Sequence, residues 1–131
     1  MHSLMLPRPK GFTFPELMIV VALILILTAI TIPNLLRARL NANDTSAQAT
    51  LKTIAAALEN YAAANRLYAT DPDQLLGVNP PYLNEDFFTG THNGFTFTYA
   101  LSSYAYTIVA TPINSALGSR SFTITTGAVL Q

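Results

Sequence analysis

Lys10-Gly11-Phe12-Thr13-Phe14-Pro15-Glu16 runs directly into Leu17-Met18-Ile19-Val20-Val21-Ala22-Leu23-Ile24-Leu25-Ile26-Leu27, and the reading of this junction decides the fold. A short basic leader ends in glycine, and an apolar run follows with one carboxylate set into its first turn. From Leu17 to Ile32 there is no charge, and the only polar side chains are those of Thr28 and Thr31. With Phe12 to Phe14 before it and Leu35-Leu36 after it, the run approaches the roughly 20 residues, at about 1.5 Å each, that cross a hydrocarbon core. An acidic residue well inside a membrane helix costs about 2.5–3.5 kcal/mol, so Glu16 reads as functional.

The rest of the composition fits a membrane-associated chain. Its 131 residues leave room for one modest domain and an anchoring segment. Charged residues make up 11%, against roughly 25% in ordinary soluble domains. A formal net charge of zero indicates neither a nucleic-acid footprint nor an acidic binding tail. With no cysteine there is no disulfide framework and no thiolate chemistry, so an exported domain must be held by its core, by neighbours, or by both.

Three readings compete for the apolar run. As a secretory signal peptide it has a basic n-region in Arg8 and Lys10, but the first small-x-small site, Ala47-Gln48-Ala49, lies beyond Arg37, Arg39 and Asp44. As an ordinary single-pass anchor it leaves Glu16 and the Gly11-Phe12 junction without a role. In the third reading processing occurs before the run, which stays in the mature protein.

Lys10-Gly11 followed by Phe12-Thr13-Phe14-Pro15-Glu16-Leu17-Met18-Ile19-Val20-Val21-Ala22 resembles the N-terminal signature of type IV pilins and of type II secretion pseudopilins. The resemblance covers about the first third of the chain. It implies cleavage after Gly11 by a membrane-embedded prepilin peptidase, which also N-methylates Phe12, and an assembly role for Glu16. Cleavage would create an α-amine of ordinary pKa about 7.7–8 at Phe12, with Glu16 about one turn away on the same helix face. Within one chain or between chains, the two groups can neutralise each other. Once paired, Glu16 sets register, because a shifted packing would strand a carboxylate in a dry core. A carboxylate in the first turn is also favoured by the helix dipole, by about 0.3–1 kcal/mol.

Pro15 departs from the family, which more often has a large aliphatic residue there. Proline inside a helix costs about 3 kcal/mol, but among the first four mature residues the missing N–H has no intrahelical acceptor anyway. In the precursor it is expected to hold Phe14 away from the α-region and the Gly11-Phe12 bond extended. Pro33 lies within the helical pattern and predicts a kink or local melting, since the Ala29 carbonyl loses its donor. Thr28 and Thr31 are the side chains expected to satisfy part of the freed backbone.

After Pro33 the positions Leu40, Ala47, Leu51, Ile54, Leu58 and Tyr61 form one apolar face of a helix to about Ala64. Asn43, Gln48, Lys52, Thr53, Glu59 and Asn60 make up a polar remainder. Thr70 or Asp71 reads as the cap of a short turn or helix through Leu76. Phe95, Phe97, Tyr99 and Leu101 alternate with Thr96, Thr98 and Ala100, and Tyr104, Tyr106, Ile108 and Ala110 with Ala105, Thr107 and Val109. With a turn at Ser102-Ser103 this predicts a hairpin with an aromatic face toward the helix and a Thr-rich face outward. Ser121 to Thr126 is a third strand, and Gly127 to Leu130 a fourth. Glu85-Asp86 beside Asn84 is too sparse an oxygen set for a calcium site, and His92 reads as a turn residue. No metal, cofactor or catalytic constellation is expected.

The predicted fold class is α+β: a long N-terminal helix, half membrane-spanning and half amphipathic, on a small antiparallel sheet. The expected organisation is a cleaved leader over 1–11, a transmembrane or filament-core helix over 12–36, the amphipathic helix over 37–64, and the remaining head over 65–131. The resemblance implies a non-enzymatic structural subunit of a type IV pilus-like filament. Its partners would be further copies of itself and related minor pilins, the prepilin peptidase and N-methyltransferase, the inner-membrane assembly machinery, and membrane lipid before assembly. The implied location is the inner membrane with the head in the periplasm, then an extracellular pilus or a periplasmic pseudopilus. Charge does not set this topology, because Arg8 and Lys10 balance Arg37 and Arg39 across the span. A secretion pseudopilin shares the architecture, and a monomeric membrane-anchored binding protein is the alternative of another class.

Overall fold

The structure, a computed structural model, describes residues 10–131. Residues 1–9, most of the expected leader, lie outside the described residues. The chain divides into two compact units between Leu35 and Leu36. One helix, α1 (Phe14–Asn65), begins in the first unit and ends in the second, and the fold is the expected α+β arrangement of a long helix and a four-stranded antiparallel sheet.

In the first unit every described residue is exposed, and the apolar window of α1 reaches a mean hydropathy of 2.6 with none of it buried. An α-helix satisfies its own backbone, so such a segment is complete in lipid and needs only apolar surroundings. Helical structure continues through Pro33 without a break, so the local melting expected there is absent. The Thr28 hydroxyl donates to the Ile24 carbonyl at 2.7 Å and Thr31 to that of Leu27 at 2.8 Å. Both bonds return to carbonyls four residues back, because that is where a helical threonine's Oγ1 reaches. Neither serves Ala29, as the sequence reading had supposed.

The second unit is built around the other half of α1. Ala47, Leu51, Ile54, Ala55, Ala57 and Leu58 are buried, and Leu40 and Tyr61 lie partly exposed at the ends of the stripe. A left-handed Arg66 (φ 64°) ends the helix, its N–H returning to the Ala62 carbonyl at 2.7 Å. A short helix, α2 (Asp73–Leu76), follows. Its formal cap is Pro72, but Asp71 supplies the chemistry, its Oδ1 accepting the Asp73 N–H at 2.9 Å.

The sheet is a meander of β1 (Phe95–Leu101), β2 (Tyr106–Pro112), β3 (Phe122–Thr125) and β4 (Val129–Leu130). Asn93 and Gly94 both hold positive φ in the tight turn that closes the His92–Phe95 bridge, an arrangement Asn-Gly tolerates best. Phe95 pairs with Pro112 and Leu101 with Tyr106, while Ile108 pairs with Ile124. Inward-facing Phe95, Phe97, Tyr106, Ile108, Ala110, Phe122 and Ile124 join the helix stripe in one core, with Leu75 added from α2 and Ala69 and Leu83 from the segments on either side of it.

Two details of the hairpin differ from expectation. β2 starts at Tyr106 rather than Tyr104, because the chain turns through Ser103-Tyr104: the Ser102 N–H donates to the Ala105 carbonyl at 2.9 Å and closes the hairpin, and the Ser102 hydroxyl reinforces it, donating to the same carbonyl at 2.8 Å and accepting the Ala105 N–H at 3.1 Å. Tyr104 is left 83% exposed at the loop tip. Tyr99 is also largely outside the core, where it meets Phe88 edge-on with ring centroids 5.0 Å apart.

Candidate functional site

The junction Lys10 to Glu16 is the first place where chemistry and exposure coincide. Lys10, Gly11 and Phe12 precede the helix, and Phe12 is 87% exposed. Thr13 occupies the capping position. Its backbone N–H and its hydroxyl both donate to Glu16 Oε2, each at 2.7 Å, while its carbonyl accepts the Leu17 N–H at 3.2 Å. A glutamate at the third helical position reaching back to the cap's N–H is one half of a capping box. Glu16 therefore has one oxygen committed within the chain, and Oε1 makes no hydrogen bond among the described residues.

Pro15 is the second helical residue, where a missing N–H costs nothing in the ladder. Phe14 is itself helical, contrary to the expectation that Pro15 would hold it extended. The Thr13–Glu16 cap fixes the helix start so close to the proline that Phe14 falls inside it. Gly11 and Phe12 still lie in non-helical backbone. A Cβ added at Gly11 would meet nothing within 4 Å, and its φ is not in the left-handed region. Nothing in this fold requires a glycine at that position.

Asn43 and Glu59, read from sequence as part of the polar remainder of the helix, do other work in the head, as does Asp44. Asp44 is buried on the apolar stripe, and its carboxylate accepts the Ser119 N–H at 3.0 Å and the Ser119 hydroxyl. Asn43 donates to the Leu117 carbonyl at 2.8 Å. Together they hold the loop between β2 and β3 against α1. Glu59 Oε1 accepts the Tyr106 hydroxyl at 2.9 Å and the Gly127 N–H at 3.0 Å, and the Tyr68 hydroxyl lies 3.1 Å from Oε2. The Tyr106 oxygen accepts the Ala128 N–H at 3.1 Å. Burial, opposed by the Ala128 N–H and reinforced by the Glu59 carboxylate, raises the Tyr106 pKa above the tyrosine range; desolvation and Glu59 also raise that of Tyr68.

The pair Glu85-Asp86 is used locally. Asp86 accepts the Thr89 hydroxyl at 2.5 Å and the Phe88 N–H at 2.9 Å, and these bonds hold its carboxyl below the usual range. His92 Nδ1 lies 3.6 Å from Glu85, and its ring stands edge-on to Phe87. Among the described residues no three potential metal ligands converge.

Of the residues singled out from sequence, Gly11, Phe12 and Glu16 thus fall together at the helix start, and Pro33 stands apart within the helix. Thr13, Asp44 and Glu59 were missed. Thr13-x-x-Glu16 is a legible capping pattern, and Asp44 sits at helical spacing from Ala47 and Leu51. Glu59 had no sequence signal, because its partners come from three distant segments.

Comparison with known proteins bears on the junction first. Residues 6–32 match the family described as the prokaryotic N-terminal methylation motif. The chain is 45% identical over 69 residues to the type IV wide pilus major component PilA4 of Thermus thermophilus, a stretch covering 53% of each protein. It is 40% identical over 63 residues to the type IV major pilin protein PilA of Myxococcus xanthus, covering 48% of this chain and 29% of that one. The chain thus spans about half the length of the first relative, and less than a third of the second is matched.

Proposed function

We propose that this chain, which carries the N-terminal segment of the type IV pilin family, is a non-enzymatic structural subunit of a type IV pilus-like filament. The observation that carries the reading is the apolar half of α1: it starts just after Lys10-Gly11-Phe12, its first turn closed by Glu16 on Thr13, and buries none of its side chains in its own chain. A helix apolar all round belongs in lipid or in a bundle of like helices, and a filament subunit needs both in turn.

In this reading residues 1–11 are a leader. A prepilin peptidase cuts after Gly11, and the new Phe12 amine is methylated. The glycine with no structural reason in its own fold then has an external one, the close fit of an extended backbone in a peptidase site. Residues 12–36 cross the inner membrane with the head in the periplasm until assembly machinery draws the subunit into the filament core. Glu16 meets a Phe12 amine through its uncommitted Oε1, and Pro33 is the place where the helix bends or unwinds on assembly. The amphipathic helix over 37–64 and the head over 65–131 form the outer layer. Similarity to a wide pilus major component and to a major pilin favours a surface pilus over a secretion pseudopilus.

Mass spectrometry of the mature N-terminus tests the processing: the expected product starts at N-methylated Phe12, and any other start overturns it. Glu16→Ala is expected to leave membrane insertion intact while sheared surface filaments fall more than tenfold. Unchanged filament yield would remove the assembly role of Glu16.

A further inference from the structure

The end of the head where the chain arrives from the apolar run carries cations and an exposed aliphatic side chain together. Arg37 and Arg39 follow Leu35-Leu36, and both are exposed on α1. Two hydrogen bonds fix the loop between β2 and β3 a little further along the same helix, from Asn43 to the Leu117 carbonyl at 2.8 Å and from the Ser119 N–H to Asp44 at 3.0 Å. That loop brings exposed Arg120, whose guanidinium lies 5.2 Å from the Phe122 ring centroid. It also brings Ile113, which is 51% exposed. The Ile113 N–H bonds the Gly94 carbonyl at 2.9 Å, and neighbouring Asn93 donates to the Ser46 hydroxyl on α1 at 2.7 Å. Ile113 therefore belongs to the same end as the arginines.

No carboxylate neutralises these arginines. Among the described residues the one ion pair is His92 with Glu85, at 3.6 Å. Asp44 is buried, and both of its oxygens are bound by Ser119. The next acid along α1, Glu59, lies about 30 Å beyond Arg39 at about 1.5 Å per residue. Arg37 and Arg39, two residues apart, point about 200° from each other around the helix. They cannot share a groove, but cations on two sides of a helix suit a flat anionic surface that surrounds it. The axial rise from Arg39 to Asp44 is about 8 Å, close to the depth of one headgroup layer, about 5–8 Å.

We propose that Arg37, Arg39 and Arg120, with Ile113 beside them, form a contact for anionic phospholipid headgroups in the leaflet from which the head emerges. The proposal rests on the reading of the apolar half of α1 as membrane-spanning. A helix that crosses the hydrocarbon delivers the residues after its apolar run to headgroup depth. Cations there attract anionic lipid, and a guanidinium meets a phosphate through parallel hydrogen bonds. An exposed aliphatic side chain beside them enters the acyl boundary. The contact holds the head of a waiting subunit against the membrane and is given up when the subunit is drawn into a filament.

The test uses the full-length chain in vesicles of phosphatidylcholine with and without phosphatidylglycerol. Spin-labelled phosphatidylglycerol is expected to be enriched around the protein over spin-labelled phosphatidylcholine by at least about fivefold, the worth of one arginine at an anionic surface. Added salt is expected to weaken the enrichment. R37Q/R39Q/R120Q is expected to lower it more than about threefold while the head melts as in the wild type. R37K/R39K/R120K is expected to keep most of it, and K52Q/R66Q to leave it unchanged. Because the chain has no cysteine, single nitroxides can be placed on introduced ones. A label on Ile113→Cys is expected to meet dissolved oxygen more than an aqueous nickel chelate, and one on Lys52→Cys the reverse. Equal association of the two lipids with the wild type, an enrichment that falls only with R8Q/K10Q, or a wholly aqueous label at position 113 would overturn the contact. A wholly aqueous label on Leu25→Cys would instead remove the membrane-spanning reading itself.

Discussion

Between Phe14 and Leu36 no side chain of α1 is buried, whereas between Asp44 and Leu58 seven are, and Leu51, Ile54 and Leu58 lose all exposure. The two stretches share a backbone geometry and differ in how their apolar residues are distributed. The first is apolar on every face, with β-branched residues that would weaken a helix in water. The second keeps its apolar residues on one face, and that face is consumed by the sheet. One half is finished by its own head; the other waits for lipid or for neighbours. Each half has a carboxylate bound within the chain, Glu16 by the Thr13 cap at the exposed end and half-buried Glu59 by two tyrosines and the Gly127 N–H in the head.

The sharpest way to break this comparison is to truncate one leucine in each half. Leu51→Ala is expected to destabilise the head by about 2–5 kcal/mol, since Leu51 is wholly enclosed by helix and sheet. Leu25→Ala, at a position 64% exposed, is expected to change it by no more than about 0.5 kcal/mol. Denaturant titration of the full chain in detergent, followed through the head's tyrosines, reads both. Equal losses would mean that the two halves do not hold separate cores.

The carboxylates give the next contrast. Glu59→Ala leaves two tyrosine hydroxyls and the Gly127 N–H without their shared acceptor, and is expected to cost the head about 1.5–3 kcal/mol in the same titration. Glu16→Ala is expected to leave the head's midpoint unchanged. A Glu59 variant as stable as wild type would show that water replaces the carboxylate, and the cluster would then be incidental.

What was legible in the sequence follows the same division. The apolar run, the stripe from Leu40 to Tyr61 and the alternation in β2 and β3 are patterns of period and composition, and they survive in the structure, while in β1 the alternation holds through Phe97 and fails at Tyr99. The strand boundary at Tyr106 was not legible, because the turn falls on Ser103-Tyr104, one residue beyond the expected Ser102-Ser103, and the Ser102–Ala105 bonds that fix it form only on folding. Glu59 read as part of the polar face and Asp44 had no assigned role, because their partners, Tyr68, Tyr106 and Gly127 for the one and Ser119 for the other, are brought to them only by the tertiary fold. At the junction the residues themselves were readable, and so was the Thr13-x-x-Glu16 pattern that caps the helix.

A smaller effect separates the halves by pH. The raised pKa of Tyr106, owing first to burial and then to Glu59, means that the folded head keeps its proton after the unfolded chain has lost it. Below the ordinary tyrosine value of about 10 both states are protonated and this residue adds no pH dependence. As pH rises past about 10 the unfolded state ionises first, so the head loses stability steadily until the folded value is reached. Thermal melting between pH 8 and 11 is expected to show the decline, and Tyr106→Phe to flatten it. The first unit has no described tyrosine, so helicity in its apolar stretch is expected to hold over the same range.

The smallest expected effect lies at the junction itself. Thr13→Ala removes the hydroxyl that binds Glu16 Oε2 but leaves the backbone N–H that binds the same oxygen. Replacing a capping threonine by alanine costs about 0.5–2 kcal/mol, and here the loss is confined to the first turn, where no side chain is buried. Amide exchange at Leu17, whose N–H bonds the Thr13 carbonyl, is expected to quicken while exchange in the head stays fixed. Thr13→Ser, which keeps a hydroxyl, is expected to behave as wild type. If Thr13→Ala instead reduced filaments as severely as Glu16→Ala with the first turn intact, Thr13 would be acting on assembly directly, and the division between a helix cap and an assembly carboxylate would have to be redrawn.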